Sequence, residues 1–266
     1  MDYEKKARQI RGDVIRMLYK CQSGHPGGSL SCVEIVEALY YNVLRNIDPK
    51  DPKRPDRDRF IMSKGHGCPT QYAVLADLGF FPREDLDSLR QVGSHLQGHP
   101  DCNKTPGIDC NVGSLGQGAS VSAGMALAGK LSGADYKVYC LVGDGESQEG
   151  IVWEAAMSAA HYKLDNLIFL LDHNGLQIDG PNDKVMGLGD ICAKFEAFGW
   201  ETMSVDGHDI QAITDACLAP SAGKPRLINC LTVKGKGISF MENNFGWHGK
   251  VMSEADYTAA AKELGI

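Results

Sequence analysis

The sequence predicts an α/β fold in which a mostly parallel sheet carries helices on both faces. Two observations support this prediction. Apolar runs have the length of buried strands, and helical patterns lie between them. Inner strands of a parallel sheet are covered on both sides, so they read as continuous apolar runs without polar alternation. Three such runs are evident: Lys137–Val142, Asn166–Asp172 and Arg226–Val233.

Length and composition indicate one domain over residues 1–266. A chain of 266 residues, 43% hydrophobic and 23% charged, can bury a full core. No repeat or linker interrupts it. The net charge of −7 argues against a nucleic-acid partner. No apolar run approaches the roughly 20 residues that a membrane span requires.

The cysteines and the N-terminal segment predict a cytoplasmic location. The start of the chain is polar and does not resemble a signal peptide. The nine cysteines are scattered and include no CxxC pair, as expected for reduced thiols. Cys140 and Cys230 lie within strand-like runs and are predicted to be core residues. A disulfide between Cys102 and Cys110 is disfavoured.

The N-terminal part is predicted to be helical around one short strand. Apolar residues recur on one face of a helix over residues 4–22, and a loop over 24–30 ends it. Ser31 and Glu34 have capping-box spacing, which predicts a helix from there to about Leu44. Arg59–Met62 is a strand candidate. Helices are predicted at 69–79 and 83–91.

The rest of the chain alternates helices with strands after a long loop. Residues 92–118 are rich in Gly, Pro and Asn, and a loop of this length in a compact domain is usually functional. The helix predicted at 149–163 has Ile151, Ala155, Ala159 and Tyr162 on one face. The other predicted elements are helices at 119–131, 195–200, 209–218 and 253–265, and a strand at 201–205.

Two of the strand-like runs lead directly into oxygen-bearing side chains. Asp144 lies in a Gly-Asp-Gly sequence after the first run, and Asn174 follows the second. About 30 residues separate them, the size of a βαβ unit. Ligands of open α/β sheets bind beyond the carboxyl ends of the strands. A carboxylate and an amide oxygen there suit Mg²⁺, with phosphate oxygens completing its coordination.

The segment from Gly143 to Asn174 resembles the diphosphate-binding signature of thiamine diphosphate enzymes. Within that group the amino-acid sequence resembles that of transketolase, and the resemblance covers nearly the whole chain. Further motifs match that family in order: Ser23–Gly28, Ser63–Gly67, Gly113–Gly118, Lys234–Gly237 and Trp247–Gly249. Gly28 is a departure, because some relatives carry a small hydroxyl residue there.

The resemblance implies a thiamine diphosphate-binding (diphosphate domain) fold, with a metal site and a cofactor site. The metal ligands would be Asp144, Asn174 and the backbone carbonyl of Leu176. The cation would be Mg²⁺ or another divalent ion such as Ca²⁺ or Mn²⁺. Asn174 is thereby also implied to bind the cofactor. The other residues implied to bind it are His66, Gly113, Leu115, Gly116, Gly145, Glu149 and Lys234.

The resemblance also assigns catalytic roles to three histidines. His25, His99 and His248 would lie at the mouth of the substrate channel, bind sugar hydroxyls and take part in proton transfer. Imidazole suits this task because its unperturbed pKa lies near neutrality. The other histidines, including His208, are interpreted as structural or exposed. Glu149 and Glu154 resemble acidic residues of a proton relay at the subunit interface.

The implied activity is transfer of a two-carbon ketol unit from a ketose phosphate to an aldose phosphate. Family transketolases continue into a pyrimidine-binding domain and a C-terminal domain. We therefore expect a separate C-terminal subunit, in a two-plus-two heterotetramer. The alternatives are another thiamine diphosphate enzyme, of the deoxyxylulose-phosphate synthase or 2-oxo acid dehydrogenase α type, or a non-catalytic cofactor-binding protein.

Overall fold

A computed structural model of the chain describes residues 2–266. Within that range, helices and strands alternate through most of the chain. The helices are α1 Tyr3–Cys21, α2 Pro26–Leu30, α3 Val33–Ala38, α4 Cys68–Asp77, α5 Gln117–Ser132, α6 Gly150–His161, α7 Asn182–Val185, α8 Ile191–Ala197, α9 Ile210–Leu218 and α10 Glu254–Leu264. The strands are β1 Arg59–Met62, β2 Val138–Gly143, β3 Leu167–His173, β4 Leu176–Gln177, β5 Gly180–Pro181, β6 Glu201–Asp206 and β7 Arg226–Leu231.

Five of the strands form one parallel sheet, in the order β1-β2-β3-β7-β6. The register pairs Gly143 with Asp172, and His173 with Leu231. The carboxyl ends of β1, β2, β3 and β7 therefore meet at one edge of the sheet. The predicted α/β class with a mostly parallel sheet is confirmed. Strands β4 and β5 form a separate antiparallel pair just beyond β3.

The sheet separates two hydrophobic layers. Side chains along β2 alternate between them, with Tyr139 and Leu141 on one side and Val138, Cys140 and Val142 on the other. The first layer is completed by residues of α1, α3, α4, α9 and α10. The second layer is completed by residues of α5, α6 and α8. Helices on both faces explain why the central strands carry no polar alternation.

The predicted capping box at Ser31 and Glu34 is wrong. Residue Cys32 occupies the N-cap position of α3 and makes no side-chain capping bond. Ser31 instead donates to Asp172 at 2.6 Å, and Glu34 pairs with Arg11. Both side chains have buried charged partners, and these stronger bonds outcompete a local cap. The helical segment extends to Val43, close to the predicted end at Leu44, but its last turn over residues 39–43 is π-helical.

Three further local predictions differ from the structure. The loop predicted over 24–30 contains the short helix α2, which begins at Pro26. The helix predicted at 83–91 is a 3₁₀ segment over Arg83–Ser88. On α6 the buried residues are Val152, Ala155, Ala156 and Ala159, whereas Tyr162 is exposed. The face predicted for that helix was therefore rotated by about one residue.

Other predictions from the sequence are confirmed. Ser253 and Asp256 form a complete capping box at α10. Cys140 and Cys230 are fully buried, and the nine cysteines, all in the described part of the chain, are unbridged. Over residues 2–266, no helix is both long and apolar enough to cross a membrane.

Glu37 on α3 is a buried carboxyl group without a partner. The residue is fully buried, and neither carboxylate oxygen has a hydrogen-bond partner among residues 2–266. Burial, together with the nearby charge of Glu34, raises the pKa of Glu37 to about 8 from 4.5. The folded chain therefore retains a proton that the unfolded chain releases, so stability falls as the pH rises through this interval.

We expect Glu37→Gln to stabilise the protein at alkaline pH. At about pH 8 the free energy of unfolding of the variant should exceed that of wild type by roughly 2 kcal/mol. The difference should shrink as the pH falls towards the ordinary pKa of a carboxyl group. Urea unfolding at a series of pH values measures it. Glu84→Gln, at an exposed position, controls for the loss of one charge. A difference that does not change with pH would contradict the assignment.

Candidate active site

A cleft of about 350 Å³ lies at the carboxyl edge of the sheet. Its walls come from the segments that follow β1, β2, β3 and β7, from the loop before α2 and from the long loop before α5. Nearly all of the sequence-predicted site residues line it. These are His25, His66, His99, Gly113, Leu115, Asp144, Gly145, Glu149, Asn174, Leu176, Lys234 and His248.

The residues of the predicted metal site follow β2 and β3 and line the same cleft. Asp144 accepts the Gly175 N–H at 2.5 Å through one carboxylate oxygen, and the Gly145 N–H at 2.8 Å through the other. The side-chain oxygen of Asn174 accepts the N–H of Leu176 at 3.2 Å. Backbone bonds therefore fix the orientation of both side chains. Burial and the neighbouring Asp172 raise the pKa of Asp144.

Lys234 extends into the cleft from the loop after β7. It is 2% exposed, and its ammonium donates to the Leu176 carbonyl at 3.0 Å and to Nδ1 of His248 at 3.0 Å. Burial, and repulsion from Lys64, lower the pKa of Lys234 to about 8. A cation thus lies directly beside the carbonyl that the sequence predicts as a metal ligand.

The three predicted catalytic histidines come together, with His66 among them. The ring centre of His25 lies 5.2 Å from His66, 5.4 Å from His248 and 6.5 Å from His99. The rings of His66 and His248 are 5.2 Å apart. These residues are widely separated in the sequence, so only the sheet topology brings them into one cluster.

The imidazoles in this cluster are neutral at physiological pH. Burial lowers the pKa of His25 to about 4 and that of His248 to about 3, and nearby cations such as Lys234 add to the effect. Burial and Lys64 also hold the pKa of His66 well below its usual range. The pKa of His99 is lowered by burial and by Arg90. A neutral ring has one donor and one acceptor nitrogen.

The residues present fit a divalent cation and a diphosphate. No cluster of three His, Cys, Asp or Glu side chains able to hold a metal occurs in the described range. The oxygen set here instead combines one carboxylate, one amide and one carbonyl, which suits a hard cation that also takes phosphate oxygens. Lys64 and Lys234 supply positive charge. In addition, Nδ1 of His25 is buried without a partner among residues 2–266.

Three predicted residues, Glu149, Glu154 and Gly145, are either exposed or bonded to another residue of the chain. Glu149 is the exposed N-cap residue of α6 at the rim of the cleft. Glu154 is exposed on the same helix. Neither approaches the histidine cluster in this chain by itself. The N–H of Gly145, predicted to bind a diphosphate oxygen, donates to Asp144 in this structure.

Glu146, which was not predicted from the sequence, joins three segments of the cleft wall. One of its buried carboxylate oxygens accepts the Ser63 hydroxyl at 2.6 Å and the Gly116 N–H at 2.7 Å. The other accepts the N–H of Gly143 at 2.9 Å. Burial raises its pKa, although these donors oppose the shift. Nothing in the local sequence distinguishes this buried glutamate from the exposed Glu149.

A buried ion pair at the cleft floor was also not predicted from the sequence. The Lys64 ammonium contacts Asp172 and donates to the Gly28 carbonyl at 2.7 Å. Asp172 also accepts the hydroxyls of Ser31 and Thr232. Burial alone would raise the pKa of Asp172, but Lys64 and these donors hold it below its usual value. An aspartate ending an apolar strand was a usable signal, since buried charges require partners.

Comparisons with known proteins agree with this geometry. The family model described as "Transketolase, thiamine diphosphate binding domain" matches residues 3–266. The chain belongs to the transketolase family. The described fold is therefore its thiamine diphosphate binding domain.

Two similar members of the transketolase family are single subunits of comparable length. The chain is 42% identical to an apulose-4-phosphate transketolase subunit of Phocaeicola vulgatus, over 98% of this chain and 93% of that protein. It is 43% identical to "6-deoxy-6-sulfo-D-fructose transketolase subunit SqwG" of a Clostridium species, over 99% of this chain and 96% of that protein.

Solved transketolase structures share the fold but are much longer. A transketolase from Pichia stipitis, in complex with fructose 6-phosphate, superposes with a TM-score of 0.93 at 32% identity. That match covers 100% of this chain and 41% of the Pichia chain. For a Campylobacter jejuni transketolase the TM-score is 0.90, at 34% identity, covering 98% and 42%. The chain thus spans about two fifths of these transketolases.

We expect His25 and His248 to stay uncharged in the folded protein between about pH 7 and 5.5, below the range in which Lys234 titrates. Their ring-proton resonances should hold constant positions in NMR spectra, with assignments from His25→Asn and His248→Asn. The urea-unfolded chain is the control, because histidine there titrates near about 6.5. A midpoint near that value for either ring in the folded state would refute the electrostatic account of the cluster.

Proposed function

We propose that this chain is the diphosphate- and metal-binding half of a transketolase that transfers a two-carbon ketol unit from a ketose phosphate to an aldose phosphate. The observation that carries the proposal is one cleft containing the oxygen set, Lys234 and a cluster of neutral histidines. The oxygens suit a metal–diphosphate, and the histidines suit a substrate with many hydroxyl groups.

In this proposal the metal ligands are Asp144, Asn174 and the Leu176 carbonyl, and the cation is Mg²⁺, Ca²⁺ or Mn²⁺. Lys234, His66 and Gly145 bind at the diphosphate of the cofactor, thiamine diphosphate, and the loop with Gly113 and Leu115 lines the cofactor. The buried position of Lys234 in the cleft supports its role towards the diphosphate, because its positive charge can offset the negative charge of that group. When bound, thiamine diphosphate supplies the nucleophile and electron sink for cleaving the bond next to a ketose carbonyl.

His25, His99 and His248 bind sugar hydroxyls and move protons on and off them. Their low pKa values support the binding of hydroxyl groups, since a neutral imidazole has one donor and one acceptor nitrogen. In His248, Nδ1 accepts from Lys234 because an ammonium can only donate. Its Nε2 therefore carries the hydrogen in the neutral ring and is free to donate to a hydroxyl.

The other half of the active site is proposed to come from a partner subunit, in a two-plus-two heterotetramer. Relatives of similar length are named as transketolase subunits, which supports a partner. Glu149 and Glu154 are exposed, as required of residues at an interface between subunits. The unbridged cysteines support the proposed cytoplasmic location.

The deciding experiment reconstitutes the enzyme. The chain is mixed with the product of a neighbouring reading frame that encodes a pyrimidine-binding half, together with Mg²⁺ and thiamine diphosphate. Ketol transfer from a ketose phosphate is expected from the mixture and from neither chain alone. Pyruvate, offered as an alternative donor, distinguishes a deoxyxylulose-phosphate synthase or dehydrogenase. Activity from the single chain would show that the partner is not needed. Cofactor binding without any activity would favour a non-catalytic protein.

Asp144→Ala should weaken Mg²⁺-dependent thiamine diphosphate binding by more than about 100-fold, because it removes the only charged metal ligand. Calorimetric titration of the reconstituted complex, with and without Mg²⁺, measures the change. Asp179→Ala is the matched control, since Asp179 is an exposed aspartate that lines the same cleft. Equal affinities for wild type and Asp144→Ala would eliminate the proposed metal site.

A further inference from the structure

The loop that carries Lys234 is held from outside the cleft by a network of three charged or polar side chains. Arg11 on α1 and Glu34 on α3 form a two-bond pair, with nitrogen–oxygen distances of 2.7 and 2.8 Å. Their side chains are 6% and 9% exposed. The same carboxylate forms a hydrogen bond of 2.9 Å with Nδ1 of His208, a residue in the turn between β6 and α9. The network thus joins three elements on one face of the sheet.

This network reaches the backbone on both sides of Lys234. The N–H of Val233 donates to Nε2 of His208 at 2.9 Å. The carbonyl of Lys236 accepts a hydrogen bond of 2.8 Å from Nε–H of Arg11. These bonds fix the residue before Lys234 and the second residue after it. They hold a segment of backbone whose one buried side chain extends into the cleft.

The donor and acceptor roles in the network are determined by chemistry. A backbone N–H can only donate, so Nε2 of His208 is an acceptor and Nδ1 must carry the hydrogen that Glu34 accepts. Burial would raise the pKa of Glu34, but the His208 hydrogen bond and Arg11 lower it to about 2. Glu34 is therefore an anion at neutral pH, paired with Arg11 and orienting a ring in one tautomer.

The loop backbone is shaped for these contacts. Gly237 has φ +91°, and a Cβ there would lie 2.7 Å from Cδ of Arg11. Gly235 has φ +78°, and a Cβ there would lie 2.3 Å from the Met241 carbonyl oxygen. Its N–H donates to the Gly27 carbonyl at 3.0 Å. Both positions require glycine, so the loop approaches Arg11 and Met241 more closely than other residues would allow.

We infer that Arg11, Glu34 and His208 are positioning residues for Lys234. They set the location of its ammonium beside the Leu176 carbonyl without contacting the cleft themselves. The inference rests on the proposed role of Lys234 towards the diphosphate. A purely structural role would stabilise the fold equally whichever side chain occupies position 234. A positioning role acts only through the lysine.

A double-mutant cycle separates these roles. Thiamine diphosphate binding with Mg²⁺ is titrated calorimetrically for wild type, His208→Leu, Lys234→Ala and the double variant, each in the reconstituted complex. We expect His208→Leu to weaken binding by about tenfold in the wild-type background and to have no further effect in the Lys234→Ala background. His208→Gln should stay within about threefold of wild type, because its amide can both accept and donate.

Three results would overturn the inference: equal losses from His208→Leu in both backgrounds, no loss in either, or a loss with His208→Gln as large as with His208→Leu. Failure of the wild-type complex to bind the cofactor would instead contradict the proposed function. If His208→Leu does not fold, nitrogen NMR of wild type still decides, because the protonated nitrogen must be Nδ1. An Nε2–H tautomer excludes the bond from Val233.

Discussion

The buried Lys64–Asp172 pair joins the segments from which the cleft is built. Lys64 follows β1 and Asp172 lies near the end of β3, while Ser31 and Thr232 bring the α2–α3 junction and the segment after β7 to the same carboxylate. Removing one partner of such a pair costs about 3–5 kcal/mol, because the other charge remains buried. The pair is therefore a strong constraint on how these loops lie together. Glu146 acts similarly on the wall formed by Ser63, Gly116 and Gly143.

The electrostatics of the cleft follow from these constraints. Two lysines are buried at its floor, and only one of them, Lys64, is neutralised by an adjacent carboxylate. Lys234 instead faces a backbone carbonyl and an imidazole. Burial, with the resulting excess of positive charge as a smaller contribution, keeps the nearby histidines neutral. The same positive charge makes the cleft suited to an anion. One arrangement thus accounts both for the affinity expected for a diphosphate and for neutral histidines that can hydrogen-bond sugar hydroxyls.

The sequence was sufficient to predict the parallel sheet, because buried strands and amphipathic helices have distinct periods. It also located Asp144 and Asn174, since residues that follow neighbouring parallel strands must meet at one edge. Local competition was harder to predict. Ser31 and Glu34 had the spacing of a capping box, but their side chains found charged partners more than a hundred residues away or on another helix. Lys64 as the partner of Asp172, and His208 as a support for Lys234, depend on tertiary contacts that no local pattern encodes.

The cleft gathers residues from His25 to His248, so its parts are almost as far apart in the chain as the length permits. Contacts between such distant residues form slowly, because the long loops between them must close before the contacts can stabilise the fold. Parallel pairing of β1, β2, β3 and β7 must be complete before the site exists. A partly folded chain would have no site for the cofactor. The cofactor therefore binds only at the end of folding and cannot guide its early steps.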